Sequence, residues 1–265
     1  MIRSTSATPT SATAPGHASG GHAHGGHAHG GPGCANQTGE SHCAYCSVRP
    51  YSACGALEDG ELVKLEALSR TNCYAQRQQL FAQDEDAHSV YNITSGSVRL
   101  YRLLPDGRRQ VVGFAIPGDF LGLSLAERTV YGAEALTSVT VCRFDRATFS
   151  GFVDEHPELL RRLYDLANHE LSLAQEQMVL IGRRTAEERV ICFLVGLRKR
   201  WAHINNNSVT VPLSMTRQDM ADFLGLTIET VSRTISKLAR EKVLLVVPDG
   251  VRLLDIPRLE AIAAS

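Results

Sequence analysis

The stretch that most narrows what this chain can become is Thr216-Arg217-Gln218-Asp219-Met220-Ala221-Asp222-Phe223-Leu224-Gly225-Leu226-Thr227-Ile228-Glu229-Thr230-Val231-Ser232-Arg233-Thr234-Ile235-Ser236-Lys237-Leu238. Met220, Ala221 and Leu224 fall on one face of a short helix, and Gly225 permits a tight turn after it. Thr227 caps a second helix whose inward row is Val231, Ile235 and Leu238. That leaves Glu229, Thr230, Ser232, Arg233 and Ser236 on the outer face near its N-terminus, the end of a helix-turn-helix that enters a major groove. Arg can bind guanine with two hydrogen bonds, Glu can accept from cytosine, and Ser can use either edge. Arg217 and Lys237 flank this face and are expected on phosphates. Leu244 to Leu254 is a hairpin about Asp249-Gly250, which supplies a wing. The competing reading is a plain helical hairpin, but turn glycine, cap, polar outer face and wing all agree.

The second informative stretch is His42-Cys43-Ala44-Tyr45-Cys46-Ser47-Val48-Arg49-Pro50-Tyr51-Ser52-Ala53-Cys54. It reads C-x2-C-x7-C, three thiols in a short loop, and thiolates suit zinc, copper(I) and iron–sulfur clusters. A fourth ligand must come from Cys34, His42 or a cysteine farther along. Spacing alone leaves an iron–sulfur cluster, zinc and ordinary reduced thiols open, although no second close ligand pair of the kind zinc sites use follows downstream.

The chain has 265 residues, seven cysteines and a formal net charge of −1, so any DNA-binding surface must be a local patch. No run of 18 apolar residues exists to span a membrane, and the first residues lack the apolar core of a secretory signal. A cytoplasmic, reducing setting is therefore expected, with structural disulfides disfavoured. Residues 1–33 are low-complexity, ending in a Gly/His/Ala repeat. Six of the ten histidines lie between His17 and His42. The segment is expected to be disordered, either as a metal-handling tail or as a flexible extension.

Between these regions, Leu57 to Leu68 has helical spacing, and Cys73 to about Phe149 reads as short strands broken by turns, which suggests an antiparallel roll or barrel. A long helix begins at His156-Pro157. Its Leu160, Tyr164, Ala167, Leu171, Ala174, Met178 and Ile181 form a regular seam, and Leu159, Leu163, Leu166 and Leu173 form a neighbouring row. One row can pack on the roll and the other on a second chain; the alternative is burial on both sides within a monomer. Gly182 punctuates this helix, and Thr185-Ala186-Glu187-Glu188 is a capping box opening another.

Taken together, residues from roughly 43 to 255 resemble the CRP/FNR family of transcription regulators. The most specific matches are Glu229-Thr230-Val231-Ser232-Arg233, which resembles the E-x-x-S-R signature of the FNR branch, and Ala186-Glu187-Glu188-Arg189. The x7 gap is similar to the FnrN/FixK-like group. The resemblance implies an α+β fold with an N-terminal antiparallel β-roll of the cupin-like, cyclic-nucleotide-binding type, a long dimerisation helix and a C-terminal winged helix-turn-helix. The expected divisions are a tail (1–33), a cysteine loop (34–55), the roll (56–150), the dimer helix (151–183) and the reader (184–265). It further implies a [4Fe–4S] cluster on Cys43, Cys46, Cys54 and Cys142. Cluster loss in oxygen would loosen a homodimer from double-stranded DNA bearing an inverted repeat like TTGAT-N4-ATCAA, with RNA polymerase as a partner and anaerobic or microaerobic genes activated or repressed. Cys34, Cys73 and Cys192 have no family role, and burial or a free thiol is their default.

In the CRP branch the roll binds a cyclic nucleotide through a Glu after the Gly turn and an Arg-Ser pair. Here Leu123 follows Gly122, and the nearest pair is Arg128-Thr129, which argues against cyclic-nucleotide binding. No nucleophile, base and orienter stand together, so an enzyme is not expected. The rival readings are a winged-helix regulator with a zinc or thiol-redox sensor, and a metal-binding protein built on the His-rich tail.

Overall fold

A computed structural model describes residues 43–124, 126–204 and 208–264. The α+β architecture matches the expectation. The cysteine loop winds through successive turns into a 3-10 turn at Ala53–Ala56, capped by the Ser52 hydroxyl, which accepts from the Cys54 amide at 3.3 Å. Helix α1, Asp59–Ala67, starts at a capping box of Glu58 and Glu61 and buries Leu62 and Leu65.

Eight strands follow: β1 (Ser69–Tyr74), β2 (Gln79–Phe81), β3 (Ser89–Ser95), β4 (Val98–Leu103), β5 (Arg109–Ala115), β6 (Phe120–Leu121), β7 (Gly132–Ala135) and β8 (Val139–Asp145). They form two four-stranded sheets, ordered β1-β8-β3-β6 and β2-β7-β4-β5. The chain crosses between sheets at Gly96, which has φ +82°, and a Cβ there would stand 2.2 Å from the Ser138 carbonyl oxygen.

Alternation along the strands decides which side chains reach the site. Tyr91, Ile93, Val139 and Val141 fill the space between the sheets. Val90, Phe144 and Cys142 point the other way, onto the helices that cover the first sheet. Asn92 shares that outer face and is the direct cross-strand partner of Cys142.

Helix α2, Arg146–Glu155, was not foreseen. It is capped by Asp145, which accepts from the Thr148 amide, and buries Phe149, Phe152 and Val153. The expected division at 150–151 falls inside it. Helix α3, Pro157–Arg183, runs on through Gly182. Leu159 and Leu163 are buried against the roll, whereas Leu160, Tyr164, Ala167, Leu171, Ala174, Met178 and Ile181 are all exposed on the single chain.

The reader consists of α4 (Ala186–Trp201), β9 (Thr210–Pro212), α5 (Arg217–Leu224), α6 (Ile228–Arg240), β10 (Leu244–Val247), β11 (Gly250–Leu253) and α7 (Ile256–Ala264). The last helix also escaped the sequence patterns. β10, β11 and β9 form a small antiparallel wing sheet. Met220, Ala221, Leu224, Val231, Ile235 and Leu238 share one core, as their spacing predicted.

Candidate functional site

Cys43 and Cys54 of the loop meet Cys142 of β8 on the helix-covered face of the roll. Cys54 belongs to an apolar cluster with Leu57, Leu65, Phe149 and Leu159, and Cys43 and Cys142 pack against it. The loop is stapled to α1 by Arg49, which donates to the Leu57 carbonyl at 3.0 Å and pairs with Asp59 at 3.1 Å. Its far end leans on α3, where Arg162 donates to the Tyr51 carbonyl at 3.4 Å.

Burial pushes the Cys43 thiol up to about 12, with Glu66 and the neighbouring Cys54 and Cys46 adding to it. Burial likewise pushes Cys142 up to about 12, helped by Cys43, Cys54 and Cys46. Burial raises Cys54 as well. At neutral pH such a pocket holds protonated thiols unless a cationic centre replaces the protons.

Asn92 is a site residue that the patterns missed. It is buried, its Nδ2 lies 3.8 Å from Cys54 Sγ, and its Oδ1 has no hydrogen-bond partner among the described residues. An amide N–H aimed at a sulfur stabilises a thiolate, and such bonds tune iron–sulfur centres. The signal was present: one amide inside the apolar run Val90-Tyr91-Asn92-Ile93.

Thiol donors such as these suit an iron–sulfur cluster or a zinc ion. Among the described residues no three of His, Cys, Asp and Glu form a group that could hold one metal ion. A zinc site draws four ligands to about 2–2.3 Å of one centre, whereas a [4Fe–4S] cluster takes each thiolate on a different iron. Cys34, His42 and the His-rich tail lie outside the described residues. Cys192 is a half-buried free thiol on α4. Cys73 is disulfide-bonded, which corrects both the expected absence of disulfides and the free-thiol default there.

On the reader, Thr216 and Asp219 form a capping box for α5, and Gly225 ends it at φ +63°. Thr227 caps α6, accepting from the Thr230 amide at 3.2 Å. Glu229, Ser232, Arg233 and Ser236 are exposed along one side of α6, and Thr230 is half-buried. The backbone amide of Glu229 itself, then the Thr227 hydroxyl, hold the Glu229 carboxyl below its usual range. Arg217 is half-buried, its guanidinium 3.3 Å from Met220 Sδ. Lys237 pairs with Glu187 of α4 at 2.5 Å and with Glu241 at 3.8 Å, so a phosphate contact would have to replace the Glu187 bond.

The small cavity inside the roll, about 70 Å³, is lined by Glu85, Asp86, His88, Ser89, Thr129 and Arg143 among others. That lining sets two carboxylates, Glu85 and Asp86, in the same cavity as Arg143. No helix among the described residues is long and apolar enough to cross a membrane.

Residues 71–156 match the cyclic nucleotide-binding domain family, and residues 188–262 match the Crp-like helix-turn-helix domain family. The chain is 52% identical over 226 residues to the transcriptional activatory protein AadR of Rhodopseudomonas palustris, covering 85% of this chain and 93% of that protein. It is 48% identical to the nitrogen fixation regulation protein FixK of Bradyrhizobium diazoefficiens, covering 84% and 94%. The solved structure of FixK2 from Bradyrhizobium japonicum superposes with a TM-score of 0.68 at 34% identity, covering 74% of this chain and 98% of that one. The roll, the long helix and the winged reader, together with these likenesses, establish that the chain belongs to the CRP/FNR family of DNA-binding transcription regulators and is not an enzyme.

Proposed function

We propose that this protein is an oxygen-responsive cytoplasmic regulator of the FNR type, in which Cys43, Cys46, Cys54 and Cys142 hold a [4Fe–4S] cluster and a homodimer reads an inverted-repeat site. One observation carries the reading. Cys43, Cys54 and Cys142 lie at one apolar cluster that packs on one face of α3, while the other face of the same helix is an apolar seam exposed on the single chain. When bound, such a cluster supplies oxygen-labile redox chemistry.

The remaining work falls to this chain's own side chains. Ala53, Cys54 and Leu57 press on Leu159 and Leu163, so a shift of the loop is felt by the helix that carries the seam. Leu160 to Ile181 join two copies, and Glu229, Ser232 and Arg233 of each copy face one half-site. Relatives whose names call them activators support a role in activation.

The test is purification without oxygen, a visible spectrum, and DNA binding before and after exposure to air. Coloured protein that loses both its colour and its inverted-repeat binding in air is expected. Colourless protein whose DNA binding ignores air would overturn the reading. Colourless protein that instead responds to a zinc chelator or to a reductant would favour the zinc or thiol switch.

A further inference from the structure

The outer face of the sheet β2-β7-β4-β5 is occupied by the reader. Glu134 on β7, Arg99 on β4 and Phe114 on β5 are register partners and form a row across three strands. Arg99 is buried, and it donates to Glu134 at 2.7 Å and to Asp219 of α5. Asp219 is itself buried, and Arg109 stands 3.6 Å away. Phe114 meets Phe223 of α5 edge-on at 5.4 Å and Phe193 of α4 at 6.0 Å. Gln110 donates to the Asp222 carbonyl.

Two features separate this bridge from ordinary core packing. A buried charge is costly unless paired, yet here each body keeps a partner of its own: Arg99 has Glu134, and Asp219 has the Thr216 hydroxyl and amide. The charges would therefore each keep a partner if the bodies moved, so the bridge adds an angular constraint to the apolar contact that Val111, Phe114 and Leu136 of the roll make with the reader's core. The exposed side of α6 also stays uncovered while the bridge is closed, so the docked form can read DNA.

We propose that Arg99 is a positioning residue for DNA reading: its guanidinium joins Glu134 of the roll to Asp219 of the reader and fixes the angle at which the two recognition helices of a dimer match the spacing of an operator. The inference rests on the dimeric reading above. It predicts a role in spacing rather than in base choice, because Arg99 lies far from the recognition face in sequence and on a different body.

The experiment measures the affinity of anaerobic wild-type, Arg99→Met and Arg99→Lys protein for inverted repeats of matched spacing and of spacing one base pair longer or shorter. Half-site separation is a geometric match, so the wild type should lose about tenfold or more on the altered repeats. Arg99→Met should shrink that penalty to about threefold or less, while the penalty for a mismatch within a half-site stays at its wild-type value. A merely structural loss would weaken all sites alike. Arg99→Lys keeps a cation beside both carboxylates but lacks the fork, so it should fold even if Arg99→Met does not, and should show an intermediate penalty. A full wild-type spacing penalty in either folded variant overturns the proposal. A wild type with no spacing penalty at all overturns the dimeric reading, and this proposal with it.

Discussion

The reader and the thiol pocket are built in opposite ways. The reader's helix starts and turns are set by neighbours in sequence. Its α4, α5 and α6 each begin at a threonine cap, its turn has a left-handed glycine, and its core residues are apolar and buried. The pocket is assembled from Cys43 to Cys54, Asn92, Cys142 and Leu159, pieces that meet only after the roll has closed. It contains thiols pushed up by burial and an amide oxygen without a partner among the described residues. The reader also leaves one buried nitrogen, Arg198 Nε, without a partner among the described residues, but only the pocket sets an unpaired acceptor beside thiols that burial pushes up. Such a combination leaves room for an occupant.

The largest expected difference between the two regions is in stability. Leu224→Ala, beneath the turn of the reader, should cost about 2–5 kcal/mol. Cys142→Ala in metal-free protein should cost less than half as much, because the pocket without an occupant holds a small neutral thiol. Chemical denaturation of both variants measures this, and equal losses would remove the contrast.

Next in size, Arg233→Ala should cost about 1–3 kcal/mol of binding to the matched site and relax preference at one base pair, seen by gel shift against single substitutions. A third effect concerns the seam that links the two regions. Ala174→Asp places like charges at mid-seam and should raise the dimer dissociation constant at least about tenfold, read by sedimentation of anaerobic protein. An unchanged dimer would detach the seam from the switch.

The smallest effect appears only in acid. Burial alone would raise the Asp219 carboxyl, but bonds from Thr216 and Arg99 outweigh it and hold the group below its usual range. A depressed carboxyl stabilises the fold above its unfolded value, about 3.9, and that contribution fades as pH falls through the folded value. Thermal unfolding of wild type should therefore drop more steeply below about pH 4 than that of Asp219→Asn. Parallel curves would deny the group this role.

The same contrast explains what was legible in the sequence. Thr216, Gly225, Thr227 and Asp249-Gly250 act on backbone within a few residues, so their meaning survives in a one-dimensional reading. The C-x2-C-x7-C loop was legible for the same reason. Cys142 entered only through family resemblance, since no local signal ties residue 142 to residue 54. Asn92 and Arg99 were invisible because their roles depend on strand register and on which face of a sheet meets which helix. Helices α2 and α7 were missed where short apolar spacing competed with a neighbouring pattern, the roll for α2 and the wing for α7.

In the proposed switch, four thiols from two distant segments share one centre. The direct test is iron and acid-labile sulfide per chain in wild type and in Cys142→Ala, both purified without oxygen. The expected result is about four irons and four sulfides in wild type and loss of both in the variant. Iron content unchanged in Cys142→Ala, or wild type carrying zinc in place of iron, would contradict it.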